Sequence, residues 1–151
     1  MAVVTHLVPA PPARVWEVLS DGWTYSDWVV GTVHIRAVDD SWPTPGAELH
    51  HKAGPWPLSL RDSSTVLECD APRSLVLRAG LWPLGAATVT IRLAPAGPNA
   101  TEVTMAEQFT HGPLVTVRNK LSDLVLHRRN KESLRRLADI ATREKAGLDL
   151  A

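Results

Sequence analysis

The pattern of apolar and polar residues changes near Gly112, where short alternating segments give way to one continuous helical pattern. Before that point, the alternating segments are separated by clusters of Pro, Gly, Asp and Asn, which is typical of strands joined by tight turns. From Pro113 to about Ala146 no internal Pro or Gly occurs, so the spacing predicts a single helix. At 1.5 Å per residue this helix would be about 50 Å long. We therefore expect it to lie across the whole domain, as the surface around which the strands wrap.

The alternating segments before the helix predict seven strands, at residues 2–8, 31–38, 47–53, 58–69, 74–81, 86–93 and 102–109. Between the first two strands the pattern predicts two short helices, the second of them over Trp23–Trp28. The later strands follow one another closely, which favours hairpins and hence an antiparallel meander. The expected fold class is α+β, with the helices packed on one face of a single sheet.

Length, composition and charge narrow the class of protein. With 151 residues, 44% of them hydrophobic, we expect one domain, residues 1–151, with a core large enough to enclose a cavity. Sixteen basic residues balance sixteen acidic ones, so no net field favours nucleic acid. No apolar run approaches the ~18 residues needed for stable membrane insertion, and the N-terminus lacks an export signal. A single Cys suits a reducing compartment. We expect a cytoplasmic monomer or homodimer.

The aromatic residues are unusual, because the chain has six Trp but only one Tyr and one Phe. Trp has a large apolar area, and ligand pockets and interfaces use it more often than small cores do. Two similar segments, Gly54–Leu58 and Gly80–Leu84, each contain Trp-Pro, which marks a strand end, an edge or a bulge. They are either two similar turns or a pair of Trp at a cavity rim. The candidate ligand-binding tryptophans are Trp28, Trp56 and Trp82.

The last predicted strand places a carboxylate among apolar residues. By alternation, Glu107 shares a face with Val103, Met105 and Phe109. A buried carboxylate has to be paired, hydrogen-bonded or exposed to a wet cavity. Glu107 is therefore expected either to face a ligand cavity, with Met105 and Phe109 in its wall, or to have a structural partner such as an Arg.

The long helix has an apolar stripe with a polar interruption. The stripe comprises Leu114, Val117, Leu121 and Leu124, and it resumes at Leu134, Leu137, Ala138 and Ala141. Between the two parts the same track crosses His127, Arg128 and Lys131. Either the helix extends beyond the sheet there, or His127 or Arg128 points into a ligand space, where it could pair with Glu107.

These patterns define the remaining candidate site residues. Leu121, Leu124 and Arg128 are candidates for binding a ligand. Glu107 and His127 are candidates for catalysis, since a carboxylate and an imidazole could transfer a proton.

Known metal, nucleotide and nucleophile motifs do not occur in the sequence. His50 and His51 are adjacent in a predicted strand, so their side chains point to opposite faces and cannot share an ion. The chain has no HExxH, CxxC or G-x-G-x-x-G motif, no P-loop lysine motif and no G-x-S-x-G motif. We therefore expect neither a metal site nor a cofactor.

Four segments of the chain together form a recognisable pattern. The first is PPARVWEVLSD, residues 11–21, and the others are Gly46 after a turn, Thr101–Thr104 in the last strand and Asn130–Leu137 in the helix. These segments resemble the START-like superfamily, also called SRPBCC, whose sequences start with A-P-x-x-V-W-x-x-L-x-D and which includes the polyketide cyclase/dehydrase and lipid-transport families. The resemblance covers about residues 2–142. It implies a helix-grip fold, in which a curved antiparallel sheet grips the C-terminal helix around a hydrophobic cavity.

The resemblance implies binding of a hydrophobic small molecule, but it provides no universal catalytic motif. Fold-level analogy supports a ligand and not a reaction. The leading interpretation is a protein that binds a lipid, polyketide or isoprenoid-type molecule between the sheet and the helix. The alternative is a polyketide cyclase or dehydratase that uses Glu107 and His127 as acid and base. A third interpretation is an interaction protein whose exposed Trp residues bind a partner.

Overall fold

The computed structural model describes residues 1–53, 60–80, 85–111 and 120–149, which form seven strands and three α-helices. The elements in chain order are β1 (Ala2–Val8), α1 (Pro12–Ser20), a 3₁₀ turn (Gly22–Thr24), α2 (Tyr25–Trp28), β2 (Thr32–Val38), β3 (Glu48–Ala53), β4 (Leu60–Asp70), β5 (Ser74–Gly80), β6 (Ala86–Pro95), β7 (Thr101–His111) and α3 (Lys120–Asp149). The α+β class, the strand number and the two short helices after β1 are confirmed.

All seven strands belong to one antiparallel sheet with the order β1-β7-β6-β5-β4-β3-β2. The chain begins at one edge, reaches the other edge through α1 and α2, and returns strand by strand until β7 pairs with β1. The register places Val4 opposite Met105 and Leu77 opposite Val89, so apolar side chains of neighbouring strands share the inner face. Register shifts interrupt the pairing in β2 and β4, where they increase the bend and twist of the sheet.

The helices α1 and α2 close one end of the sheet. Pro12 occupies the first position of α1, where its missing N–H costs no hydrogen bond. Arg14 Nε donates to the Ala141 carbonyl at 3.1 Å and ties α1 to α3. The Tyr25 hydroxyl donates to the Leu19 carbonyl at 2.8 Å, and the ring centroids of Tyr25 and Trp28 are 4.8 Å apart. These contacts bring Trp28 to the inner face of the sheet.

The long helix α3 packs against β1, β7, α1 and α2. Its buried residues recur at helical spacing: Leu126, Asn130, Ser133, Leu134, Leu137, Ala138 and Ala141. The predicted start of the helix at Pro113 lies outside the described residues, because residues 112–119 are not described.

The predicted apolar stripe is wrong at Leu124, whose side chain is 46% exposed. At 3.6 residues per turn, each residue turns the helix by about 100°. Leu126 is therefore about 20° from Leu137 around the helix axis, whereas Leu124 is about 140° away. At Leu124 the predicted stripe therefore follows the wrong face of the helix. Of its other members, Leu114 and Val117 lie outside the described residues, as does the side chain of Leu121.

Candidate ligand-binding cavity

A cavity of about 290 Å³ lies between the inner face of the sheet, α2 and α3. An engineered apolar cavity of about 150 Å³ is large enough to take up benzene, so this one has room for a molecule of about two fused rings. Its lining residues are Tyr25, Trp28, Val29, Val30, Gly31, Thr32, Leu49, His51, Ser64, Leu77, Ala79, Gly80, Ala87, Val89, Ile91, Met105, Glu107, Arg129, Asn130 and Ser133.

The buried polar side chains of the described residues are concentrated around this cavity. Among all the described residues, five polar or charged ones are buried, and four of these five line the cavity: His51, Glu107, Asn130 and Ser133. The fifth, Thr101, is satisfied elsewhere, because its hydroxyl donates to the Ala10 carbonyl at 2.7 Å. A core that served only for packing would not need polar groups in its walls. The cavity is therefore the candidate site.

Glu107 forms an ion pair with Arg129 across the cavity wall. Arg129 Nη2 donates to both carboxylate oxygens, at 2.5 and 2.6 Å. The Glu107 side chain is 4% exposed, whereas that of Arg129 is 31% exposed. Burial raises the pKa of Glu107, and the charge and hydrogen bonds of Arg129 act in the opposite direction. The pair therefore links β7 to α3 and places a charged patch in a largely apolar space.

His51 is a buried imidazole on the sheet wall of the cavity. It shares the inner face of β3 with Leu49, two residues earlier, while His50 lies on the other face beside Glu48. His51 Nε2 is 3.3 Å from Ser64 Oγ, and its Nδ1 is buried without a partner among the described residues. Burial lowers the pKa of His51, with Asp62 opposing this shift. The imidazole is therefore neutral at neutral pH.

Two further nitrogens in the cavity walls are buried without a hydrogen-bond partner among the described residues: Trp28 Nε1 and Asn130 Nδ2. Trp28 is 1% exposed and Asn130 is 2% exposed. The Asn130 side chain lies close enough to the Glu107 carboxylate to lower the pKa of that group through hydrogen bonding, although the geometry is looser than that of a regular hydrogen bond. An unsatisfied buried donor costs about 1–3 kcal/mol. This cost applies to Trp28 Nε1, whereas the carboxylate of Glu107 offsets part of it for Asn130.

Ser133 positions the loop between α2 and β2, which forms part of the cavity wall. Its hydroxyl donates to the Arg129 carbonyl one helical turn earlier, at 3.0 Å, and accepts the Val30 N–H, also at 3.0 Å. This contact holds the loop from Val29 to Thr32 against α3. The cavity wall therefore depends on the Ser133 side chain, a role that the sequence did not indicate.

The structure brings three of the predicted site residues to the cavity: Trp28, Met105 and Glu107. Phe109 is half-buried on β7 and is not part of the lining, and Leu124 is exposed. Trp56 and Trp82 lie outside the described residues, as does the side chain of Leu121. The ligand-binding role of Trp56 and Trp82, and their arrangement as a pair at a cavity rim, thus stays a prediction.

Of the two alternatives for the polar interruption of the stripe, the pairing of His127 or Arg128 with Glu107 is wrong, because both side chains are exposed. Around the helix axis Arg128 lies about 180° from Leu137, on the face turned away from the sheet. The partner is Arg129, one residue further along. The general expectation that an Arg pairs with Glu107 was correct, and the predicted phase of the helix was not.

Sequence reasoning missed His51, Arg129, Asn130 and Ser133 as cavity residues. His51 could have been found, because alternation in β3 puts it on the same face as Leu49. Arg129, Asn130 and Ser133 could be placed only by knowing that Leu126, Leu134 and Leu137 form the buried face of the helix. The sequence contains several apolar tracks along this helix and does not single out that one.

Two absences apply to the described part of the chain. Within it, no group of three or more His, Cys, Asp or Glu side chains could hold a metal ion. Nor does any helix there combine the length and the hydropathy needed to cross a membrane. The cytoplasmic location and the monomeric or homodimeric state stay predictions.

Comparison with known proteins shows the family. The family model for polyketide cyclase/dehydrase and lipid transport matches residues 2–142. The chain belongs to this family. The resemblance noted in the sequence is thereby confirmed, and the helix-grip arrangement of a curved sheet around a C-terminal helix agrees with it. A search of curated protein sequences finds no match.

Solved structures share the fold of this polyketide cyclase/dehydrase family member at low sequence identity. Protein NE0264 from Nitrosomonas europaea has a TM-score of 0.74 at 18% identity, over 95% of each chain. The ZhuI aromatase/cyclase from Streptomyces sp. R1128 has a TM-score of 0.73 at 18% identity, over 94% of this chain and 93% of the other. A protein from Arthrobacter aurescens has a TM-score of 0.72 at 18% identity, over 93% and 85%. At such identities the likeness shows the fold alone.

Proposed function

We propose that this protein binds one hydrophobic or aromatic small molecule, of polyketide, isoprenoid or lipid type, in the cavity between the sheet and α3. The observation that carries the proposal is the cavity of about 290 Å³ whose wall contains four of the five buried polar residues among the described ones. Ligand sites combine an apolar lining with a few placed polar groups in this way. Membership of the polyketide cyclase/dehydrase and lipid-transport family supports the same conclusion.

A direct test uses tetralin, a two-ring hydrocarbon, as the probe. Tetralin at ten times its Kd should stabilise the protein by about 1.4 kcal/mol, measured as a shift of the urea or thermal unfolding transition. Ala87→Leu should abolish this shift, because Ala87 is 1% exposed and its longer replacement would occupy the cavity. Ala106→Leu is the matched control, since Ala106 belongs to the opposite face of the sheet and does not line the cavity. An equal response in both variants would contradict binding in this cavity.

A second candidate function is catalysis of the cyclase or dehydratase type. It is favoured by His51, a neutral buried imidazole in the cavity wall with one free ring nitrogen, which is a chemically suitable acid or base. The likeness to the ZhuI aromatase/cyclase supports a fold compatible with such chemistry. Turnover of a model poly-β-ketone that is lost in His51→Phe, while tetralin binding is retained, would support the enzyme over the carrier. Turnover that survives in His51→Phe would remove His51 from that role.

A further inference from the structure

We propose that the free edge of strand β1 is a dimerisation surface, and that its partner is β1 of a second copy of this chain, paired antiparallel about a two-fold axis at Thr5. In the described part of the chain, β1 is one edge of the sheet and pairs only with β7. The other side of an edge strand presents a row of main-chain N–H and C=O groups that can pair with another strand. This proposal does not depend on the proposed ligand-binding function.

The two edges of the sheet differ in how well they are protected against such pairing. At the other edge, β2 has two register shifts against β3, carries the exposed basic side chains of His34 and Arg36, and packs against α2 and the 3₁₀ turn. Irregular pairing, charged side chains and covering elements are the means by which proteins block edge-to-edge association. In contrast, all seven residues of β1 pair with β7 without a register shift, and none of them is Lys, Arg, Asp, Glu, Pro or Gly. The β1 edge is therefore the less protected of the two.

The outer face of β1 is largely apolar although it is exposed. Val3 is 50% exposed and Leu7 is 60% exposed, and Thr5 lies between them on the same face. The helix α3 packs against β1 and covers its inner face, where Val4 and Val8 are buried. A long, regular edge strand with exposed apolar side chains favours association with another strand.

The symmetry of this strand identifies a second copy as the partner. Because β1 spans Ala2–Val8, Thr5 is its central residue, and Val3 and Leu7 lie two residues to either side of it. Antiparallel pairing of two β1 strands about Thr5 places Val3 of each copy opposite Leu7 of the other. Directly opposite residues share a face of the sheet, so these two apolar pairs form on the outer face. The same patch then serves both copies, as a two-fold interface requires, and no like charges oppose each other.

Thr5 would continue an existing row of threonines across the interface. Its Oγ1 is 3.3 Å from Oγ1 of Thr104, the residue directly opposite on β7. The two-fold axis places the two Thr5 side chains opposite each other, so the row runs from Thr104 of one copy to Thr104 of the other. Thr–Thr pairs are among the cross-strand pairs that stabilise antiparallel sheets. The two sheets thereby become one, and β1 is no longer an edge in either copy.

The length of the strand sets the expected affinity. A strand of seven residues is about 23 Å long, so its pairing makes a small interface of the weakly associating class. Sedimentation equilibrium of the wild-type protein should show the mass rising from 16.5 kDa toward twice that value between about 1 μM and 1 mM. The amides of β1 should exchange more slowly at the higher concentration, because new hydrogen bonds protect them. A mass of 16.5 kDa at every concentration would overturn the proposal.

Two double variants test the pairing of Val3 with Leu7. Val3→Lys combined with Leu7→Lys places Lys opposite Lys in both pairs and should weaken the dimer about 5- to 30-fold. Val3→Glu combined with Leu7→Lys places Glu opposite Lys in both pairs and should dimerise more tightly than the first variant. Both sites are at least half exposed in the protomer, so both variants should retain the fold, which circular dichroism checks. Val33→Lys is the matched control, because Val33 is 54% exposed on the other edge strand and its substitution should leave the dimer unchanged.

The remaining outcomes would decide against the proposal. An unchanged Kd in the variant with two Lys substitutions, or an equal loss in Val33→Lys, would exclude the β1 edge as the interface. Equal weakening in the two double variants would contradict the pairing of Val3 with Leu7 and hence the axis at Thr5.

Discussion

The ion pair between Glu107 and Arg129 predicts an asymmetric response to the loss of either partner. Arg129→Met would leave a carboxylate that is 4% exposed without its counter-ion. Removing one partner of a buried pair costs about 3–5 kcal/mol, out of a total stability of about 5–15 kcal/mol. Glu107→Gln would leave Arg129 unpaired, but its side chain is 31% exposed and can turn its charge toward water. The second substitution should therefore cost less, about 1–2 kcal/mol.

The pH dependence of the two variants should also differ. Burial already raises the pKa of Glu107 in the folded protein, and Arg129 opposes that shift. Without Arg129 the folded-state pKa rises further above the unfolded value of about 4.3. A carboxyl group with a raised folded pKa contributes stability below the unfolded pKa and loses it as the pH rises through the folded pKa. The deficit of Arg129→Met should therefore be smallest near pH 4.5 and largest at pH 8.

Urea unfolding followed by circular dichroism at pH 4.5, 6 and 8 measures both effects, provided that the slope against urea concentration stays constant between variants. In a thermal scan, a protein of this size loses about 2–4 °C per kcal/mol, so Arg129→Met should lower Tm by about 6 °C or more. Glu132→Gln is the control, because Glu132 is an exposed carboxylate that pairs with Arg135 and Arg136 on the surface of α3. It should leave the curve almost unchanged. Equal losses in Arg129→Met and Glu107→Gln at every pH would refute the reasoning.

Three further predictions follow from the described contacts. Burial lowers the pKa of His51 below 6.5, so its contribution to stability is present above pH 6.5 and is lost as the pH falls through the folded pKa. The free energy of unfolding, measured in urea between pH 7.5 and 5, should therefore depend less on pH in His51→Phe than in the wild type, and an equal pH dependence would contradict this. Gly80→Ala should destabilise the protein by about 1–3 kcal/mol, because the added Cβ would lie 1.9 Å from Asp62 Oδ1. In a double-mutant cycle with Asp62→Ala, the stability losses of the two single variants should add to more than the loss of the double variant, whereas additive losses would show that Asp62 is not the obstacle. Leu134→Ala should cost about 2–5 kcal/mol because Leu134 is fully buried, whereas Leu124→Ala should change stability by no more than about 0.5 kcal/mol; similar losses in denaturant unfolding would mean that the helix phase is wrong.

The strands could be located from the sequence because their information is local. Side chains alternate along a strand with a period of two, so a strand has only two faces. Once one face is recognised as apolar, every residue of the strand can be assigned to the buried or the exposed face. This is why the burial of Glu107 beside Val103 and Met105 was predicted correctly. The same rule, applied to Leu49, would have brought His51 to the inner face.

The phase of the long helix could not be obtained in this way. Successive residues differ by about 100° around the axis, and the run from Leu124 through Val125 to Leu126 offers three neighbouring apolar tracks. Only the packing of α3 against β1, β7 and the two short helices selects Leu126 and excludes Leu124. The same rotation replaces Arg128 with Arg129 as the partner of Glu107 and brings Asn130 and Ser133 into the cavity wall. Local periodicity was thus enough to establish the elements and the fold, whereas the polar groups of the cavity depend on how one helix is rotated against the sheet.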